Sequence, residues 1–190
     1  LENYWQGRHD PPDTLDPETA ARYAVLVGES QINYMRTVVE VIAERINVQG
    51  LWLPGDDERA DSETWEIWES NGLGSWQSVA WAEMLAKRRV YFSVWYGEGA
   101  DAMPRIELED ALQTWVEYAP GSRTDRVFGV KSYVDDWTGA QIVDVATPTE
   151  LHYYIRRDNT EWTPYRASGV NRLGAVPFVP MVNRPTLRTA

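Results

Sequence analysis

The chain has 190 residues, of which 43% are apolar and 25% charged, with a formal net charge of −11. That length and balance provide for one large domain with a core of its own and exclude a wholly disordered chain. The charge argues against a free-standing DNA-binding domain, which needs clustered Lys and Arg to displace counterions.

Residues 1–29 read as an extended N-terminal arm with one short helix, and residues 30–190 as an α+β domain. In the arm Tyr4 and Trp5 stand side by side. Pro11, Pro12 and Pro17 fix φ and hold their predecessors extended, and Thr19 to Leu26 forms the short helix. A helix follows from Ser30, its expected N-cap, to Asn47. Ile32, Met35, Val39, Ile42 and Ile46 make one apolar stripe along it. Leu51 to Leu53 reads as a short strand, and Pro54 to Asp57 as a turn. A second helix covers Ser62 to Ser70 and stops at Asn71-Gly72. A third runs from Ser75 to Lys87.

Strands dominate from there. Val90 to Tyr96 is the first, ending at Gly97-Glu98-Gly99. Ile106 to Leu108, Thr114 to Tyr118, Arg126 to Val134, Gln141 to Val145 and Leu151 to Arg157 follow at period two, and Trp162 to Tyr165 extends the same sheet. Gly174 to Val182 is apolar but broken by Pro177 and Pro180, which marks an edge or irregular segment. Helices first and a mostly antiparallel sheet afterwards is an α+β order.

No strong catalytic grouping stands out. His9 and His152 stand alone, without a local nucleophile motif. There is neither a GxxxxGK[ST] loop nor a GxGxxG after a strand. Asp56, Asp57, Glu58 and Asp61 lack the order of a calcium loop. With no Cys in the chain, disulfides, Cys-ligated zinc and thiol catalysis are excluded. No catalytic residue, cofactor or metal is expected. The Cys-free composition suits a cytoplasmic protein, no apolar run approaches the roughly 18 residues that cross a membrane, and no signal peptide is visible. Residue 1 is Leu and no capping feature closes the chain, so it reads as a piece of a longer product.

Two features invite partners. The aromatic residues are 10 Trp and 10 Tyr against 3 Phe, and Trp and Tyr suit half-wet contacts because each carries a polar tip on an apolar body. The basic run Lys87, Arg88, Arg89 closes the third helix, where cations complement the helix dipole; it also offers a contact for nucleic acid or an acidic partner.

An ordered set of segments carries a resemblance. It begins with Tyr4-Trp5-Gln6-Gly7 and the helix Ile32-Asn33-Tyr34-Met35-Arg36-Thr37-Val38-Val39-Glu40. Ile67-Trp68-Glu69-Ser70-Asn71-Gly72-Leu73 follows, then the strand from Val90 and Pro104-Arg105-Ile106. Leu173-Gly174-Ala175-Val176-Pro177-Phe178-Val179-Pro180 comes last, before Asn183-Arg184-Pro185. In this order the segments resemble the portal proteins of long-tailed bacteriophages. The sequence departs from that family where Arg88-Arg89 replaces a frequent Gly between third helix and strand, and where Glu40 replaces Asp.

The resemblance implies a portal wing-like domain, with the stem, clip and crown segments following the Asn-Arg stretch. It implies a structural subunit of a ring, usually a dodecamer, at one capsid vertex of the virion, assembled in the host cytoplasm. Its partners would be further copies of itself, the terminase, the major capsid or scaffold protein and a head-completion protein. Double-stranded DNA would pass without sequence-specific contact, and no membrane is involved. Tyr4 and Trp5 would meet a neighbouring subunit or the capsid. Two other readings of the residues stand beside this one. The first is an aromatic-rich carbohydrate- or peptide-binding module. The second is an acid–base hydrolase using carboxylates such as Glu107 and Asp110.

Overall fold

The computed structural model describes residues 2–7, 16–19, 33–52, 61–97, 103–158 and 160–183. The expected short helix beyond Thr19, the cap at Ser30, the turn at Pro54 to Asp57, His9 and Arg184-Pro185 lie outside them. Among the described residues, the helices that precede the strands include α1 (Glu2–Trp5), α2 (Tyr34–Ala43), α3 (Ser62–Ser70) and α4 (Leu73–Lys87).

Each helix boundary has a local cause. The start of the arm is helical rather than extended, one turn over Glu2–Trp5. α2 starts at Tyr34 because Asn33 is its N-cap: the Asn33 side chain accepts from the Arg36 N–H at 3.0 Å. The Asp61 carboxylate caps α3 by accepting from the N–H groups of Glu63 and Thr64, both at 3.2 Å. Gly72, at φ 61°, turns the chain straight from α3 into α4, so α4 begins two residues before Ser75. α4 ends on Arg88 in the left-handed conformation, φ 71° and ψ −16°. That is the position where glycine carries no steric penalty, which explains why a Gly is at home there and why Arg is a departure.

The strands are β1 (Arg89–Trp95), β2 (Arg105–Glu109), β3 (Thr114–Tyr118), β4 (Arg126–Val134), β5 (Gln141–Ala146), β6 (Glu150–Arg156), β7 (Thr163–Pro164), β8 (Gly169–Val170) and β9 (Phe178–Val182). Among the described residues Leu51 and Trp52 belong to no strand. The strands form two sheets rather than one. A three-stranded sheet has the order β2-β1-β9, and a six-stranded sheet runs β3-β4-β5-β6-β7 with β8 also paired to β6. Every pairing between them is antiparallel. β9 is an edge strand, as Pro180 requires.

The core lies between the two sheets. Tyr91 and Phe178 from the small sheet meet Val116 and Ala146 from the large one, with Val176 closing the layer. Phe178 is 1% exposed and lies on the backbone of Gly129 in β4; a Cβ there would sit 2.4 Å from the Phe178 ring. Trp95 packs edge-on to the same ring, centroids 6.0 Å apart. The absent side chain of Gly129 is thus what lets the two sheets approach. Polar groups bridge the same junction. Glu109, 4% exposed, accepts from the Ser93 hydroxyl at 2.7 Å and pairs with Lys131 of β4 at 2.7 Å, so both of its buried oxygens are satisfied. Arg126 donates to the Phe178 carbonyl at 2.7 Å.

Candidate functional site

The segments picked out in the sequence fall at junctions. Asn33 caps α2 with its side-chain oxygen and donates its amide to the Trp5 carbonyl at 2.7 Å. Gly7 turns away at φ 73°, and a Cβ on it would meet the Asn33 side chain at 3.3 Å. The Arg36 guanidinium lies 5.9 Å from the Trp5 ring centroid and pairs with Glu40 at 2.7 Å. Trp5 is therefore half-buried and latched onto α2.

Asn71 does the same for the next layer. Its amide donates to the carbonyls of Ile67 at 2.9 Å and Pro104 at 2.8 Å, and its oxygen accepts from the Ile106 N–H at 2.7 Å. One side chain thus fastens the α3–α4 corner to β2. The segment from Leu173 turns at Gly174, φ 66°, and buries Val176. Its Pro177 carbonyl accepts from the Val94 N–H at 3.0 Å, delivering β9 to the edge of β1. Asn171 holds this turn, donating to the carbonyls of Thr147 at 2.6 Å and Ala175 at 2.8 Å. The sequence reading missed Asn171, and no motif marks it.

The basic run is divided in its roles. Lys87 pairs with Glu83 at 2.6 Å and Asp110 at 3.0 Å. Burial alone would lower its pKa, but the hydrogen bonds it donates to Glu83 and Asp110, with their charges, outweigh that and hold it above the ordinary value. Arg89 lies 5.8 Å from the Trp115 ring centroid. Arg88 is the exposed member, and its carbonyl accepts from Asn183 at 2.9 Å.

Beside the Glu109–Lys131 pair a cleft of about 270 Å³ opens between the sheets. Arg166 stacks on Tyr153 with its guanidinium 3.2 Å from the ring centroid. Tyr165 donates to Asp144 at 3.2 Å. Burial raises the Asp144 carboxyl above its ordinary range and pushes the Tyr165 hydroxyl up to about 12. Arg105 and Glu107 pair at the mouth. The charges in the cleft are matched within it, which makes it a polar clasp between the sheets. Glu107 and Asp110, the pair considered for acid–base work, are both committed to cations: Glu107 to Arg105 and Asp110 to Lys87.

Among the described residues, the outer face of α2 is an uncovered apolar surface. Only Ala43 of this helix is buried. Tyr34, Met35, Val38, Val41 and Ile42 point outward, with Ile46 just beyond. Their spacing puts them on one side of the helix, away from α4. Met35 and Val38 are each 59% exposed. An apolar stripe of this size on a folded chain marks a contact with another surface.

Among the described residues, the distinctive side chains fasten elements together or face outward. Residues 2–187 match the family described as "Phage portal protein, SPP1 Gp6-like". The portal protein of Mycobacterium phage D29 is 30% identical over 165 residues, and that of Mycobacterium phage L5 is 28% identical over the same length. Each alignment covers 83% of this chain and 33% of the relative. The chain belongs to the phage portal protein family, and it spans about a third of the length of the curated relatives it matches. These comparisons lend no support to the carbohydrate- or peptide-binding alternative.

Proposed function

We propose that this chain is part of a structural subunit of a bacteriophage portal ring at the capsid vertex. The family match over residues 2–187 carries the reading. The ring serves as the conduit for DNA during packaging and ejection, and as the platform on which terminase, capsid or scaffold protein and head-completion protein dock. A net charge of −11 suits a protein that lets DNA pass without gripping it.

Closed rings need surfaces that are apolar in the free subunit and covered in the assembly. The outer stripe of α2 has that character. Tyr4 and Trp5, on the helical turn latched to α2 on its Arg36–Glu40 side, are assigned to a contact with a neighbouring subunit or the capsid. Arg88, with Arg89 behind it, is assigned to nucleic acid or an acidic partner.

The test is the mass of the product of the whole gene in solution, by light scattering after gel filtration with negative-stain images. A closed ring supports the reading. A compact monomer at every concentration contradicts it.

A further inference from the structure

Gly follows Asn at one place in the sequence, Asn71-Gly72. Asn is a chemically labile residue, most of all before Gly, where no side chain hinders the next backbone nitrogen. The reaction needs only water. The Gly72 nitrogen gives up its proton and bonds to Cγ of Asn71. The Cγ–Nδ2 bond breaks, and the side-chain nitrogen takes up a proton and leaves as ammonia. Water then opens the five-membered imide at either carbonyl and leaves aspartate or isoaspartate.

The fold requires both residues for other reasons. Gly72 takes φ 61° where α3 turns into α4, the left-handed position that favours glycine. Asn71 is the C-cap of α3 and the fastening between that corner and β2. Its amide donates to the carbonyls of Ile67 and Pro104, and its oxygen accepts from the Ile106 N–H. The labile pair therefore contains the side chain that ties the α3–α4 corner to the small sheet. Water reaches it, because Ser70 and Asn71 line a surface hollow of about 440 Å³.

Three features hold the reaction off. The attacking nitrogen is engaged: the Gly72 N–H donates to the Glu69 carbonyl at 2.9 Å. The backbone is turned the wrong way: Asn71 has ψ 2°, and the ring closes only after rotation about its Cα–C bond brings the Gly72 nitrogen to Cγ. The electrophile is fixed: the amide group is held from its nitrogen by Ile67 and Pro104 and from its oxygen by Ile106, so Cγ cannot turn to meet the nitrogen.

We infer that Asn71-Gly72 is a latent modification site. It is closed while the corner is fastened to β2, it converts when the last turn of α3 opens and the corner lifts, and the corner cannot refasten afterwards. An aspartate has no N–H to give to the carbonyls of Ile67 and Pro104, and its carboxylate faces both of their oxygens. Isoaspartate also adds a backbone methylene at the cap. Conversion is thus a one-way release of the α3–α4 corner from the small sheet. The site is built from bonds within one subunit and stands apart from the ring reading.

The test follows conversion at Asn71 in the whole-gene product, in the same protein unfolded in guanidinium chloride, and in a synthetic peptide of the Ile67–Leu73 sequence, all in one mildly alkaline buffer. Peptide mapping by mass spectrometry reads the change from amide to acid. The folded protein is expected to convert roughly a hundredfold or more slowly than the unfolded chain and the peptide, because reaction waits on local opening. Equal rates in the folded and unfolded protein, or a peptide that does not convert, overturn the site. The consequence is read by hydrogen exchange on the converted protein, separated from its parent by the added negative charge, and on Asn71→Asp. The Ile106 N–H is expected to exchange about tenfold faster or more in both, with β4 and β5 at the parental rate. Parental exchange at Ile106 in the converted protein overturns the release.

Discussion

The junction of the two sheets and the outer face of α2 treat apolar surface in opposite ways. At the junction, Tyr91, Phe178, Val116 and Ala146 are withdrawn from water, and the carboxylate of Glu109 is satisfied by Ser93 and Lys131. On α2, Tyr34, Met35, Val38, Val41 and Ile42 face solvent. The sheets complete their own core, and a change there registers as stability. The helix leaves its stripe exposed, and on the proposed ring reading a change there should register in assembly.

The largest expected loss comes from closing the gap between the sheets. Gly129→Ala sets a Cβ 2.4 Å from a ring that is 1% exposed, and overpacking of this kind costs about 3 kcal/mol. The urea midpoint should fall accordingly. Phe178→Leu in the same background should recover part of the loss, since two residues in contact are not additive. An unchanged midpoint in Gly129→Ala would show that the sheets do not pack on that glycine.

Asn71→Ala comes next. It removes bonds to Ile67, Pro104 and Ile106 and leaves part-buried backbone groups without partners, a cost of about 2 kcal/mol. Hydrogen exchange at Ile106 should speed up beyond what the global loss explains.

Arg88→Gly is smaller and of opposite sign. A non-glycine residue in the left-handed conformation, as Arg88 is at φ 71°, costs about 1 kcal/mol, so glycine should raise stability by about that amount. The gain in thermal midpoint should appear with no change in mass. A fall would mean that the Arg88 side chain contributes more than its backbone costs.

Much of the architecture was legible in the sequence. The bounds of α3 and β4 follow from pattern, because Asn71-Gly72 stops the helix and Arg126 to Val134 alternates well enough for a strand. The stripe on α2 was read in part: Met35, Ile42 and Ile46 of the expected set lie on the exposed face, but Tyr34, Val38 and Val41 complete that face and Val39 is half-buried. Periodicity tells which residues share a face, not what covers it, and Met35, Ile42 and Ile46 turned out to face outward.

Long-range facts were hidden. Asn33 caps α2 through a local bond, but its second bond, to the Trp5 carbonyl twenty-eight positions away, could not be read from the sequence. The division into two sheets depends on β9 returning to β1 after the whole six-stranded sheet. The fastening at Asn71 gave a local hint, the Asn-Gly pair that stops α3, but its bonds to Pro104 and Ile106 are a property of the fold. The assignment of function came from the resemblance. Composition and periodicity had indicated only an acidic, Trp-rich α+β chain without a catalytic motif.

The outward face of α2 is the point on which the account turns. Val38→Glu with Ile42→Glu places two carboxylates on the stripe at residues 59% and 46% exposed, so the fold should change by less than about 0.5 kcal/mol. The decisive measurement is the light-scattering mass of the whole-gene product with and without this pair. The account predicts a closed ring for the parent and a mass near one subunit for the variant, with equal urea midpoints. A variant that closes rings of parental mass would contradict it.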